Sequence, residues 1–181
     1  MPYFSSFPQV FYDSTGTGKN YRLVTDITRK VGFRTNALRN AAFFTRYTIK
    51  DGETPEGLAF DLYSRSDLHW VLLLSNNIMD RFHDWPMSTQ QFYTFVNEKY
   101  TNVNAVHHYE INQTSGDDTK VISIGKDNTD YSSANVVTNF EYEENRQEEL
   151  RKIKVVKPEF IGLVINEFED LMTQAVVEGI D

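Results

Sequence analysis

The chain has no cysteine. That excludes disulfides, thiolate metal sites and a cysteine nucleophile, and it leaves the redox compartment undecided. A membrane-length apolar run is also lacking. The longest, Trp70 to Leu74, falls far short of the ~20 residues a bilayer requires, so no membrane partner is expected. The opening MPYFSSFPQVF has no basic stretch leading into an apolar one, so no signal peptide is expected and synthesis in a cytoplasm is. Positive charge is in short supply: 18 Lys and Arg face 26 Asp and Glu, for a net charge of −8 and a pI near 5.0. A chain of that balance is a poor general nucleic-acid binder, because phosphate contacts need clustered cations. The single basic cluster, Arg151, Lys152, Lys154 and Lys157, follows the acidic run Glu141, Glu143, Glu144, Glu148 and Glu149, and together they read as a salt-bridged solvated helix face.

Motifs for chemistry are missing too. Gly16-Thr17-Gly18-Lys19-Asn20 fails as a phosphate loop, because Asp13 stands where the first Gly must be and Asn20 where Ser or Thr must follow Lys. The four histidines, His69, His83, His107 and His108, make no i, i+4 zinc pair, and adjacent His107 and His108 would point to opposite faces of a strand. Asp127-Asn128-Thr129-Asp130 lacks the spacing and Gly of a calcium loop. No Gly-x-Ser-x-Gly elbow is present. No catalytic residue, metal ligand or cofactor site is therefore expected, and the chain is read as a non-enzyme.

What the sequence does have is aromatic residues, 13 Phe and 10 Tyr, within a 40% hydrophobic composition over 181 residues. That suits a folded core and also a protein that buries surface against partners. Three consecutive regions are expected. Residues 1–45 form an extended N-terminal arm, in which Tyr3, Phe4, Phe7, Phe11 and Tyr12 are interrupted by Pro8 and by the flexible stretch Ser14 to Gly18. The arm either packs back on its own domain or lies on a neighbouring protein. One short strand is expected within Leu23 to Phe33. Residues 46–100 begin with a strand at Tyr47-Thr48-Ile49 and a turn at Asp51-Gly52. Thr54 then caps a helix with Pro55 at its first position and Leu58 on its apolar spacing. A second helix, from Ser66, is apolar nearly all round and ends at Asn76-Asn77. Ser88 to Gln91 is a capping box for an added helix. Residues 101–181 hold a hairpin of Val106 to Ile111 with Lys120 to Ile124, linked by a polar tip, and then helices over Glu141 to Lys152 and after Pro158. Phe160, Ile161, Val164, Ile165, Phe168, Leu171 and Met172 share one face of the last helix. That stripe is either a seam to the central core or a contact with another chain. Trp70 is expected in the core; Trp85, beside Pro86, either caps the domain or anchors a partner.

The segment Tyr47 to Ile78 resembles a LysM module in its strand, its Gly52-Glu53-Thr54 turn, its two helices carrying Leu58 and Trp70, and its Asn76-Asn77 exit. The Pro-Gly-Gln exit of glycan-binding modules is replaced by Asp84-Trp85-Pro86-Met87-Ser88, so a second strand is shortened or rerouted. Longer strings, Leu68-His69-Trp70, Asn76-Asn77-Ile78-Met79-Asp80, Thr138 to Glu143 and Arg151 to Pro158, resemble the baseplate wedge subunit 53 family of T4-like phages. That resemblance implies an α+β fold around a small LysM-like strand-helix-helix core. It also implies a structural role in the virion tail baseplate, in multiple copies within a symmetric assembly. The implied partners are other wedge proteins, with the tail hub and sheath-initiating proteins as further candidates. The interface candidates are Tyr3, Phe4, Phe7, Phe11, Tyr12, Trp85, Phe160, Val164 and Phe168. The alternative is a LysM-type module that binds peptidoglycan or chitin.

Overall fold

A computed structural model describes residues 3–29, 32, 42–115, 118–125 and 134–177. The fold is α+β. It divides into two compact units that interleave along the chain, where three consecutive stretches were expected. The first comprises Met1–Thr48, Glu53–Asp84 and Ile153–Asp181; the second comprises Ile49–Gly52 and Trp85–Lys152.

In the first unit, strand β3 (Phe44–Thr48) leads to helix α1 (Pro55–Tyr63), a 3-10 turn (Ser66–Leu68) and helix α2 (His69–Ser75). Thr54 caps α1 by accepting the Gly57 N–H at 3.2 Å, with Pro55 at the first position. Ser64 at φ 56° and Asn77 at φ 55° supply left-handed residues after α1 and α2. No strand follows Asn77 directly; the next residues are turns and coil. The partner of β3 is instead β7 (Lys152–Val156), a strand where a charged helix face was expected. The pairing is antiparallel: Lys157 N–H donates to Phe43 O and, at the other end, Ile49 N–H donates to Arg151 O. Alternation buries Ile153 and Val155 while Lys152 and Lys154 stay exposed, the period-2 signature of a half-buried strand.

Antiparallel pairing uses the main-chain groups of every second residue, so those of Lys154 face away from β3. Asn76 meets them there. Its Nδ2 donates to Lys154 O at 2.7 Å and to Leu72 O at 2.8 Å, and its Oδ1 accepts the Lys154 N–H at 2.8 Å. One carboxamide thus stands in for a third strand and ties β7 to the end of α2. Helix α5 (Ile161–Val177) follows a 3-10 turn (Pro158–Phe160). Its Val164, Phe168 and Met172 close a core with Leu68, Trp70, Val71, Val156 and Phe7. Trp70 and Phe168 lie 4.5 Å apart, and the Tyr63 hydroxyl donates to Val156 O.

The second unit contains α3 (Thr89–Lys99), an antiparallel sheet in the order β5-β4-β6 (β4 Val106–Ser115, β5 Asp118–Ile124, β6 Asn135–Thr138) and α4 (Asn139–Arg151). Reciprocal capping boxes open both helices, Ser88 with Gln91 and Thr138 with Glu141. The β4–β5 ladder runs on through Asn112 to Thr119, where a polar loop was expected. Residues 126–133 lie outside the described residues. A bulge between Val106 and His108 corrects the expectation that the adjacent histidines diverge. Their Nδ1 atoms are 2.8 Å apart, and His107 stacks on Tyr142 at 3.9 Å.

Helix α4 turns two polar residues inward, Glu143 and Gln147. Glu143 is fully buried. It accepts from Lys99 Nζ at 2.6 Å and the Tyr100 hydroxyl at 2.8 Å. Burial pushes its carboxyl up, Lys99 and Tyr100 pull it down, and the balance lies below the usual carboxylate value.

Asn76→Ala leaves Lys154 without partners on its free edge. Unmade bonds at partly covered groups cost about 1–3 kcal/mol. At about 2–4 °C per kcal/mol for a chain of this size, calorimetry should show a melting temperature roughly 2–12 °C lower. Glu143 has a folded pKa depressed below its unfolded value, so its contribution is full above about pH 4.3 and disappears as the pH falls through the folded value. The stability of wild type relative to Glu143→Gln should therefore be constant from pH 7 to 5 and shrink toward pH 3. A difference that stays level across the acid range would contradict this assignment.

Candidate protein-binding surface

The arm is not one extended segment. Tyr3–Ser6 form a 3-10 turn, and β1 (Gln9–Asp13) pairs with β2 (Tyr21–Thr25) as an antiparallel hairpin. Its loop, expected to be flexible, is organised by Asp13, whose carboxylate accepts the Thr15 N–H and hydroxyl and the Gly18 N–H. Thr15, first among these donors, holds that carboxyl below the usual range. Gly16 at φ +64° and Gly18 at φ +70° occupy positions where a side chain would be strained.

Both faces of the hairpin are exposed, and each carries apolar side chains at its centre. Phe11 opposes Leu23 on one face, and on the other Val10 opposes Val24 and Tyr12 opposes Arg22. Phe11 is 75% exposed and Tyr12 60%. An isolated two-stranded hairpin is marginally stable in water, and a contiguous apolar patch of this kind marks an interaction site. Beside the hairpin lies a mostly apolar groove of about 720 Å³, lined by Tyr3, Phe4, Ile27, Trp70, Leu73 and Met79 among others. Phe4, Ile27 and Met79 are each more than half exposed. Trp70 contributes a buried indole Nε1 that has no acceptor among the described residues.

The nine interface candidates separate into two groups. Phe4, Phe11 and Tyr12 face outward. Phe7 is buried in the core of its own unit, and Tyr3 packs 5.6 Å from Trp70 and 5.4 Å from Phe168. Val164 and Phe168 belong to the same core, Phe160 packs against it and against Phe43, and Trp85 is buried. The stripe on α5 is thus a seam to the chain's own core. Leu23, Val24 and Ile27 were not among the interface candidates, although a strand was expected from Leu23 onward and Val10 to Tyr12 with Leu23 to Val24 around a Gly-rich link carry a hairpin signal.

The LysM-like positions all have structural partners or conformations. The Tyr47 hydroxyl donates to Glu53 at 2.9 Å, and burial together with that carboxylate raises its pKa to about 12. Gly52 adopts φ +70°, and Leu58 and Trp70 are buried. Thr54, Asn76 and Asn77 serve as described. Among the described residues no group of three or more His, Cys, Asp or Glu is arranged to hold a metal, and no helix is long and apolar enough to cross a membrane.

The sequence profile described as base plate wedge protein 53 matches residues 3–134. The chain belongs to that family. A member of it, the baseplate wedge protein gp53 of Enterobacteria phage T4, is 28% identical to this chain over 190 residues, covering 95% of this chain and 96% of the phage T4 protein. The wedge-53 profile takes in the hairpin, the groove and the strand-helix-helix segment together. The outward aromatics thus lie within the matched residues.

The two groups of aromatics should respond differently to truncation. Phe7→Ala removes a buried ring, at about 3–5 kcal/mol, and should lower the melting temperature by several degrees. Phe11→Ser with Leu23→Ser should leave it within about 2 °C, as expected of exposed positions. Equal losses in calorimetry would place the hairpin in the core.

Proposed function

We propose that this chain is a structural, non-catalytic subunit of the baseplate wedge in a contractile phage tail, residing in the virion and holding neighbouring wedge proteins together around the central hub. The observation that carries the reading is the exposed apolar hairpin of Phe11 and Leu23 in a family of baseplate wedge proteins. Burying such side chains is worth about 1.5–3 kcal/mol each, and a neighbour that covers both hairpin faces collects that gain. Other baseplate proteins are the partners; the tail hub and the sheath-initiating proteins are candidates for the hub-facing side.

The glycan-binding alternative is not supported, since the family and the phage T4 relative are both described as baseplate wedge proteins. The Asn76 carboxamide, which a sugar-gripping loop would have free, is fully engaged by main-chain groups.

The test is incorporation. Phages carrying Phe11→Ser with Leu23→Ser should yield folded subunit that is absent from purified baseplates, whereas wild type is present in them. Normal incorporation would remove the hairpin from the interface. Titration calorimetry with chitin or peptidoglycan oligomers at micromolar protein should give no saturable heat; a micromolar affinity would restore the glycan reading.

A further inference from the structure

The β3–β7 sheet has one closed edge and one open edge. On the β7 side, Asn76 satisfies the outward main chain of Lys154, and the Tyr63 hydroxyl donates to Val156 O. On the β3 side no such cover exists among the described residues. The two end bonds, Lys157 N–H to Phe43 O and Ile49 N–H to Arg151 O, fix the register. Antiparallel pairing then turns the main chain of Phe43, Thr45, Tyr47 and Ile49 toward β7, and leaves the N–H and C=O groups of Phe44, Arg46 and Thr48 facing out. Among the described residues β3 pairs with β7 alone, so those groups have no strand to meet. Thr45, Arg46 and Thr48 are exposed, which leaves the edge open to an incoming chain. A row of outward donors and acceptors at strand spacing is matched by an extended peptide.

Charge narrows the partner. The same register sets Arg46 directly opposite Lys154. Side chains opposed in this way share a face, and it is the face away from buried Ile153 and Val155. Both cations are exposed, and neither makes an ion pair among the described residues. The acidic run that precedes the basic cluster reaches only part of it: Arg151 pairs with Glu148 and Lys152 with Glu149, and Lys154 is left over. Like charges across a ladder repel, and a carboxylate opposite Arg46 on a third strand offsets that repulsion. The same charge rejects a second copy of the chain. Arg46 is the middle residue of β3, so two copies paired antiparallel about the strand centre would set Arg46 against Arg46.

We propose that β3 takes up an extended acidic segment of a neighbouring protein as a third strand, with an Asp or Glu of that segment opposite Arg46. Main-chain bonds along the edge hold the segment, and the carboxylate selects it and sets its register. That the segment belongs to a baseplate neighbour rests on the wedge-subunit reading; the open edge and its charge do not.

The experiment is a titration of the full ¹⁵N-labelled chain with the capped peptide Ac-Thr-Val-Thr-Glu-Thr-Val-Thr-NH₂, followed by the amide resonances and hydrogen exchange of Phe44, Arg46 and Thr48. One control replaces the central Glu with Lys, and another is the acidic peptide N-methylated along its length, which has no N–H to donate. Saturable shifts and slowed exchange along this edge are expected with the acidic peptide. The lysine peptide should bind about fivefold more weakly, the N-methylated one should give no shifts, and the charge preference should fade as salt screens the pair. Arg46→Gln should abolish the preference between the two charged peptides and Arg46→Glu should invert it, both being changes at an exposed position. No shifts, equal shifts with the N-methylated peptide, or an acidic preference that survives in either variant would each overturn the proposal. Baseplate incorporation separates the two levels. If wild type incorporates but the acidic peptide does not bind, the strand-addition proposal alone falls. If the peptide binds but wild type is absent from baseplates, the wedge reading falls and the edge site stands. If Arg46→Glu inverts the peptide preference yet incorporates like wild type, the baseplate donor is wrong.

Discussion

Among the described residues strand β3 pairs with β7 alone, and the chain reaches it only after leaving for the whole of Trp85 to Arg151. Everything in the first unit depends on that return. Without β7, the apolar sides of Ile153, Val155 and Val156 and the main chain of Phe44 to Thr48 have nothing to meet. Asn76 ties the return to the end of α2, since its carboxamide donates to and accepts from the Lys154 main chain on the edge that β3 leaves free. Fixing β7 in turn sets where Pro158 starts the last helix, and so where Phe168 meets Trp70. The intervening segment can therefore be long and elaborate, because loop-closure entropy grows only with the logarithm of length.

The aromatic excess is sorted by that frame. Trp70, Phe168, Phe7 and Tyr3 form one cluster, in which the N-terminal turn serves as a plug over the end of α2 and the face of α5. A few residues further along, the same arm presents Phe11 and Leu23 to solvent. A segment with one end buried and the other exposed is anchored before it meets a neighbour, so the entropy of ordering it, about 1–2 kcal/mol per residue, is partly met within the subunit. Preorganisation of this kind leaves more of the contact energy available for association.

Much of this was legible in the sequence wherever the cause is local. Thr54 with Pro55, Ser88 with Gln91 and the Asn76-Asn77 stop mark helix ends within a few residues, and the stripe from Phe160 to Met172 marks a buried face. What could not be read depends on distant partners. Lys152 to Val156 looks like the tail of a charged helix until Phe44 to Thr48 is laid beside it; only then does the alternation of Ile153 and Val155 acquire an inside. The stretch from Asn112 to Thr119 is polar throughout, so hydrophobic periodicity had nothing to report. The histidine pair was misjudged because a bulge is a feature of pairing, not of composition. Among the residues expected at an interface, Phe4, Phe11 and Tyr12 lie at the surface. Phe7, Val164 and Phe168 share that apolar character and lie inside, since sequence gives the tendency to be buried but not the surface that does the burying.

The strand-helix-helix pattern explains why a family resemblance to a binding module need not carry binding. In this chain its recognisable positions are consumed by construction: Tyr47 is held by Glu53, Thr54 by a helix start, Asn76 by two carbonyls and an N–H, and Leu58 and Trp70 by the core. The polar signature of that segment is thus spent within the subunit. What lies outside that pattern includes the hairpin, whose Phe11 and Leu23 are exposed side by side, and burial of such side chains is what a joint between subunits would gain from.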